Sequence, residues 1–236
     1  MKLLKAALHA HTTEDPIDKI PYSSYEFIDH AASLAFDVVA ITCHKYCFLN
    51  DEVTKYALSR NIVLINGIEQ NIEGKHVVIL NATKETEHIF TFEDLEKYKK
   101  NYNCFVLAPH PFFPMPFCLN KKLIKHIGLF DGIEFSYFYN EKCNFNKKAV
   151  EISKKHKKPL VGTSDIHILK YFNPTYALIE AEKNIASILK ALNAGKTKIV
   201  SRPLTITQLI EIQFKMVFMP LLRRRKKCYN IGTKET

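Results

Sequence analysis

The strongest constraint on the fold is a repeated alternation of short apolar, β-branched runs with stretches of helical period. Residues 2–8 read as a first strand. Ser23-Ser24-Tyr25-Glu26 carries Ser followed three residues later by Glu, a capping box, and opens a helix to about Leu34 with Phe27, Ala31 and Leu34 on one face. Residues 37–42 form a strand apolar on both faces, as in a buried parallel sheet. Helix is expected at 50–60, strands at 62–65 and 75–80, and a polar helix from Thr91 to about Tyr102. The pattern continues with a strand at 104–108, helix at 120–127, strand at 132–135, helix at 146–156 and strand at 159–162. A further strand at 176–179 and a helix at 184–194, stopped by Gly195, complete it. Strand-then-helix units imply a parallel sheet covered by helices. About seven of them in some 200 residues favour closure into a barrel over an open sheet.

Parallel barrels bring the C-terminal ends of their strands together on one face, so what stands there matters most. The first strand ends in His9-Ala10-His11, whose imidazoles share a face because residues i and i+2 do so in an extended segment. The next ends in Thr42-Cys43-His44, and the third gives Gly67-Ile68-Glu69. His76 opens the following strand, Pro109-His110-Pro111 ends the fifth, and Ser164-Asp165-Ile166-His167 follows the last strong one. A lone histidine at a strand end is usually a surface or core residue. His30, His88, His126 and His156 fit that description, whereas the other six of the ten histidines all sit at strand edges. A His/carboxylate set of this size suits Zn²⁺, Mn²⁺ or Fe²⁺ and is too rich for one tetrahedral structural zinc. A carboxylate such as Glu69 can bridge two ions, which points to a multinuclear hydrolytic site.

Composition adds bounds. The six cysteines are scattered, and no secretory h-region precedes them at the Met1 end, so free thiols in a reducing cytosol are expected. The net charge of +10 owes half to the run Arg223-Arg224-Arg225-Lys226-Lys227 and suggests an anionic partner without choosing one. Residues 205–222 are crowded with apolar side chains but broken by Pro220 and interrupted by Glu211 and Lys215, too short and charged for a membrane span. They read as an amphipathic helix packing on the barrel or a second subunit, or lying on an anionic membrane, followed by a basic tail.

His9-x-His11, Thr-x-His44, Gly-x-Glu69, His76, Pro-His110-Pro and Ser-Asp165-x-His167 together resemble the PHP (polymerase and histidinol phosphatase) family, in the family's block order and over residues 3 to about 201. The resemblance implies a distorted (β/α)7 TIM-like barrel over residues 1–204, with residues 205–236 as an added helix and tail. It implies two or three divalent ions (Zn, Mn or Fe). One would be held by His9, His11, Glu69 and Asp165, a second by Glu69, His76 and His110, and a third by His44, His167 and one ligand shortly after His11. The family usually places that ligand five or six residues after the second histidine, where Pro16 and Ile17 stand here. Asp15 is the nearest candidate, with Glu14 and Asp18 behind it. Cys43 replaces a family Asp, and Ser136 stands where many members have Asn.

The implied activity is hydrolysis of a phosphate ester, as a phosphatase or phosphodiesterase of histidinol-phosphatase-like type, by a metal-bridged hydroxide at a di- or trinuclear centre. Asp165, His167 and His44 are candidates for protonating the leaving oxygen, and Lys45 and Arg202 for contacting phosphate. The expected substrate is a phosphorylated small molecule or nucleotide; nucleic acid bound through the basic tail ranks behind it. The alternative is a non-catalytic metal-binding or regulatory domain tethered to a membrane or partner by its C-terminal helix. The expected location is cytoplasmic, with membrane association through that helix the variant reading.

Overall fold

In a computed structural model, which describes residues 2–214, the expected alternation appears element by element. The first half contains β1 (Lys2–Ala7), α1 (Ser24–Ser33), β2 (Val38–Ile41), α2 (Asp51–Ser59), β3 (Val63–Ile72) and β4 (Lys75–Leu80). It continues through α3 (Phe92–Asn101), β5 (Phe105–Ala108), α4 (Lys121–Lys125), β6 (Gly132–Ser136) and α5 (Asn146–His156). The remainder is β7 (Leu160–Thr163), β8 (Thr175–Ala181), α6 (Ile185–Asn193), β9 (Thr197–Ser201) and α7 (Ile206–Gln213). Local chemistry explains the boundaries. Ser23 Oγ accepts from the Glu26 amide while the Glu26 carboxylate accepts from the Ser23 amide, closing the capping box of α1. Asn50 caps α2 through two amides. Gly195, at φ +67°, supplies the left-handed turn after α6.

The nine strands form one sheet in the order β7-β6-β5-β4-β3-β2-β1-β8-β9. It curls into a nearly closed barrel, with Thr197 of β9 donating to Leu160 O of β7 across the seam at 3.1 Å. The sheet is mixed, which corrects the expectation of a parallel one. β1-β2-β3 and β5-β6-β7 are parallel triplets, but β4 pairs antiparallel with both β3 and β5. β8 is likewise antiparallel to β1 and β9. The physical reason lies in short connections: Glu73 and Gly74, both at positive φ, join β3 to β4 directly, leaving no room for a crossover helix. β3 also runs seven residues beyond the expected end at 65, so Glu69 stands inside a strand rather than after one.

Alternation sorts the apolar side chains. Leu4, Ala6, Val38, Ala40, Ile65, Leu107 and Val161 fill the barrel with Ile188, Leu189 and Leu192 of α6. The opposite faces of β1 and β2 pack on α1 and α2 through Ala7, Val39, Ile41, Phe27 and Val53. Those of β3 to β6 pack on α3, α4 and α5. α7 lies against the barrel through buried Ile212 beside Tyr137, Tyr171 and Leu204. The rest of the expected amphipathic helix and the basic run Arg223 to Lys227 lie outside the described residues. Among the described residues no helix is long and apolar enough to cross a membrane.

Candidate metal centre

Hydrogen bonds continue the sheet past its formal strand ends and set the site residues side by side. His11 N donates to Ile166 O and Ile166 N to His9 O, tying the β1 end to the β7 end. Thr42 N donates to Ala10 O, and Lys45 N to Glu69 O, adding the ends of β2 and the middle of β3. His110 follows β5. Because β4 runs antiparallel, its N-terminal end lies on the same face, which is how His76 enters the group, register partner to Asn71. His110, Asp165 and Lys45 all hold positive φ (+29°, +39° and +54°), a concentration of backbone strain that only a firm surrounding frame maintains.

Three sets of donors converge, each within 4.8 Å: His9, His11, Glu69 and Asp165; His44, Glu69 and His76; and His11, His44 and His167. In the first, His9 Nε2 and His11 Nε2 lie 3.2 and 3.3 Å from Glu69 Oε2, and each 3.3 Å from Asp165 Oδ1. Both Nε2 atoms and Asp165 Oδ1 are buried without a hydrogen-bond partner. Buried polar atoms left this way are costly unless something else satisfies them, and imidazole and carboxylate are the donor types of hydrolytic Zn²⁺, Mn²⁺ and Fe²⁺ sites. Glu69 faces two ways: Oε2 toward His9, His11 and His44, and Oε1 toward His76 Nδ1 at 2.8 Å and His110 Nε2 at 3.3 Å.

Carboxylates behind the rings fix their orientation. Glu134 Oε2 accepts from His9 Nδ1 at 2.9 Å, leaving Nε2 to face the centre. Asp15 Oδ2 accepts from His11 Nδ1, His44 Nδ1 and the His44 amide at 2.8 to 2.9 Å. Its Oδ1 accepts from the amides of Ile17 and Asp18. Asp15 therefore stands behind the histidines, whereas Asp18 Oδ2 reaches His167 Nε2 at 3.0 Å and lies 3.8 Å from His44 Nδ1. Glu14 is turned away to Ser24.

Charge within the cluster is balanced by proximity. Burial alone would lower the His9 pKa, but Asp165, Glu69 and Glu134 outweigh it and raise it to about 10. His44 is raised to about 10 against the same burial by Glu69 and Asp15. Burial would raise Glu69 and Asp165, yet their histidine neighbours hold both well below the carboxylate range. Burial also pushes the Cys43 thiol up to about 12, so it packs as an inert side chain against Thr12.

A cavity of about 420 Å³ opens onto the cluster, lined by Asp18, His44, Lys45, Glu69, His76 and His167 among others. The six strand-edge histidines, Glu69, Asp165, Asp15 and Asp18 stand in the cluster or directly behind it, whereas Glu14 does not. Lys45 lines the cavity, but Arg202 is exposed and outside its lining. Glu134 was missed, although a glutamate inside the apolar run Gly132-Ile133-Glu134-Phe135 is itself a signal. The described cysteines are free, four buried and Cys143 exposed.

The barrel and this ring of histidines and carboxylates define a PHP-type fold. A two-domain protein from Bacteroides vulgatus containing a predicted PHP-like metal-dependent phosphoesterase matches 92% of this chain and 72% of its own, at 19% identity and TM-score 0.66. PsfC from Pseudomonas syringae matches over 96% and 99%, at 13% identity and TM-score 0.64. The lesion-specific endonuclease PfuEndoQ from Pyrococcus furiosus matches over 90% and 66%, at 14% identity and TM-score 0.61. No protein-family model matches the sequence, and no curated protein does.

Proposed function

We propose that the chain is a metal-dependent phosphoesterase. The observation that carries this reading is the convergence of His9 Nε2 and His11 Nε2 on both Glu69 Oε2 and Asp165 Oδ1, with the two nitrogens and Asp165 Oδ1 buried without a hydrogen-bond partner. The first ion would be held by those four residues, and a second by Glu69 with His76 and His110 or His44. A third would take His44 and His167, with Asp18 rather than Asp15 as the carboxylate. Such ions supply an acidified water and neutralise charge on phosphoryl oxygens. Glu134 and Asp15 hold the imidazoles in the tautomer that presents Nε2. Glu69, with its oxygens turned to different histidines, is suited to being shared. Lys45, which lines the cavity, is suited to orienting an approaching phosphate.

Phosphate release from a panel of phosphomonoesters and a phosphodiester, with Mn²⁺ or Zn²⁺ added to chelator-stripped protein, tests this. Turnover is expected, reduced at least about a hundredfold in His9→Ala and Asp165→Ala. A fully metal-loaded protein that releases nothing from any of them would overturn the proposal.

A further inference from the structure

A second cavity, of about 320 Å³, shares His110, Met115, Phe117 and Asp165 with the one over the metal centre, so the two form a continuous cleft. Beyond that shared wall the chemistry changes. Phe113, Phe138, Phe145 and Ile212 line the second cavity, and none of its lining residues is Lys or Arg. Phe113 packs on Phe145 and Phe138 with ring centroids 5.2 and 6.4 Å apart. Its polar lining outside the metal centre is Ser136, Tyr137 and Gln213 beside the Cys118 thiol, and the Ser136 backbone is held by reciprocal hydrogen bonds to Asn146.

Three separate parts of the chain build this wall. They are the loop after β5, the segment from the end of β6 to the start of α5, and α7. Ile212 of α7 is fully buried, and Glu211 beside it accepts from Tyr171 Oη and Lys170 Nζ, which fixes the helix on the barrel. A ribose, sugar or nucleotide leaving group needs several donors and acceptors, and this cavity offers few. A ring or alkyl chain gains by leaving water there.

We infer that this cavity is the leaving-group subsite, and that the substrate is a phosphomonoester of an apolar alcohol or phenol. The inference rests on the phosphoesterase reading for the phosphate end of the cleft. It is tested by calorimetric titration of Mn²⁺-loaded protein with alkylphosphonates from methyl to hexyl, which bind without being hydrolysed. Affinity should rise about threefold to fourfold per methylene until the cavity is filled. The slope should flatten in Phe138→Ser and in Phe145→Ser and be retained in Phe138→Leu. Phe145 is 37% exposed, so its replacement spares the fold if Phe138→Ser does not. A flat series, no binding, or tighter binding of ribose 5-phosphate than of hexylphosphonate would overturn the inference. A graded series without turnover on any ester would instead remove the phosphoesterase reading and leave the apolar subsite standing.

Discussion

Asp15 and Asp18 lie three residues apart and do opposite work. Asp15 is enclosed, its two oxygens taking five donors from His11, His44, Ile17 and Asp18. The Asp18 side chain is 43% exposed and turned to His167. Asp15→Ala should therefore destabilise the protein by about 2–4 kcal/mol in denaturant titration, because it strands buried donors. Asp18→Asn should leave stability within about 0.5 kcal/mol and lower the bound metal, counted by elemental analysis, by one ion per chain. The histidine pair was legible in the sequence because a strand end fixes which way alternate side chains point. Asp18 could be read only as a candidate ranked behind Asp15, since the turn that Asp15 Oδ1 organises is what directs it to His167. Glu134 carried a signal, a charge inside an apolar run, but its partner His9 could be named only once β6 is known to stand near β1's end.

At the level of elements, the succession of strands and helices could be read from hydrophobic period and caps, and the order of blocks from the motifs. The direction of β4 could not be read from its own residues, which are as apolar as those of a parallel strand. The Glu73-Gly74 turn was the available sign, since two adjacent positive-φ residues match a tight hairpin. β9 went unplaced because Lys196 to Ser201 is short, half-exposed and mixed in character. Its closure depends on close approach at Gly162, where a Cβ would lie 2.7 Å from Tyr176 O, a backbone atom that cannot swing away. Gly162→Ala should cost about 1–3 kcal/mol. Gly128→Ala, where a Cβ meets nothing within 4 Å, serves as the near-neutral control in the same thermal melts.

For the whole molecule, the histidine cluster sets how stability follows pH in the presence of a chelator. His9 and His44 are raised to about 10, so their contribution is complete below an unfolded-state value of about 6.5 and is lost as pH rises toward 10. Glu69 and Asp165 are lowered, so theirs is present above about pH 4.5 and lost as pH falls through their folded values. The melting temperature in chelator should thus be highest between about pH 4.5 and 6.5 and decline steadily to pH 9. Added Mn²⁺ should stabilise more at pH 8 than at pH 6, because it competes with protons for the imidazoles. A metal-free melting temperature that climbs from pH 6.5 to 9 would contradict the charge balance described. The same topology bears on how the chain is made. β1 pairs with β2 along one edge, Ala6 beside Val38, but its other edge pairs with β8, Ala6 beside Ala177. A ribosome needs on the order of ten seconds to supply the residues between those two partners. Throughout that interval the growing chain exposes the unpaired rim of a sticky strand, so its yield in cells should depend on how well that rim is shielded until β8 emerges.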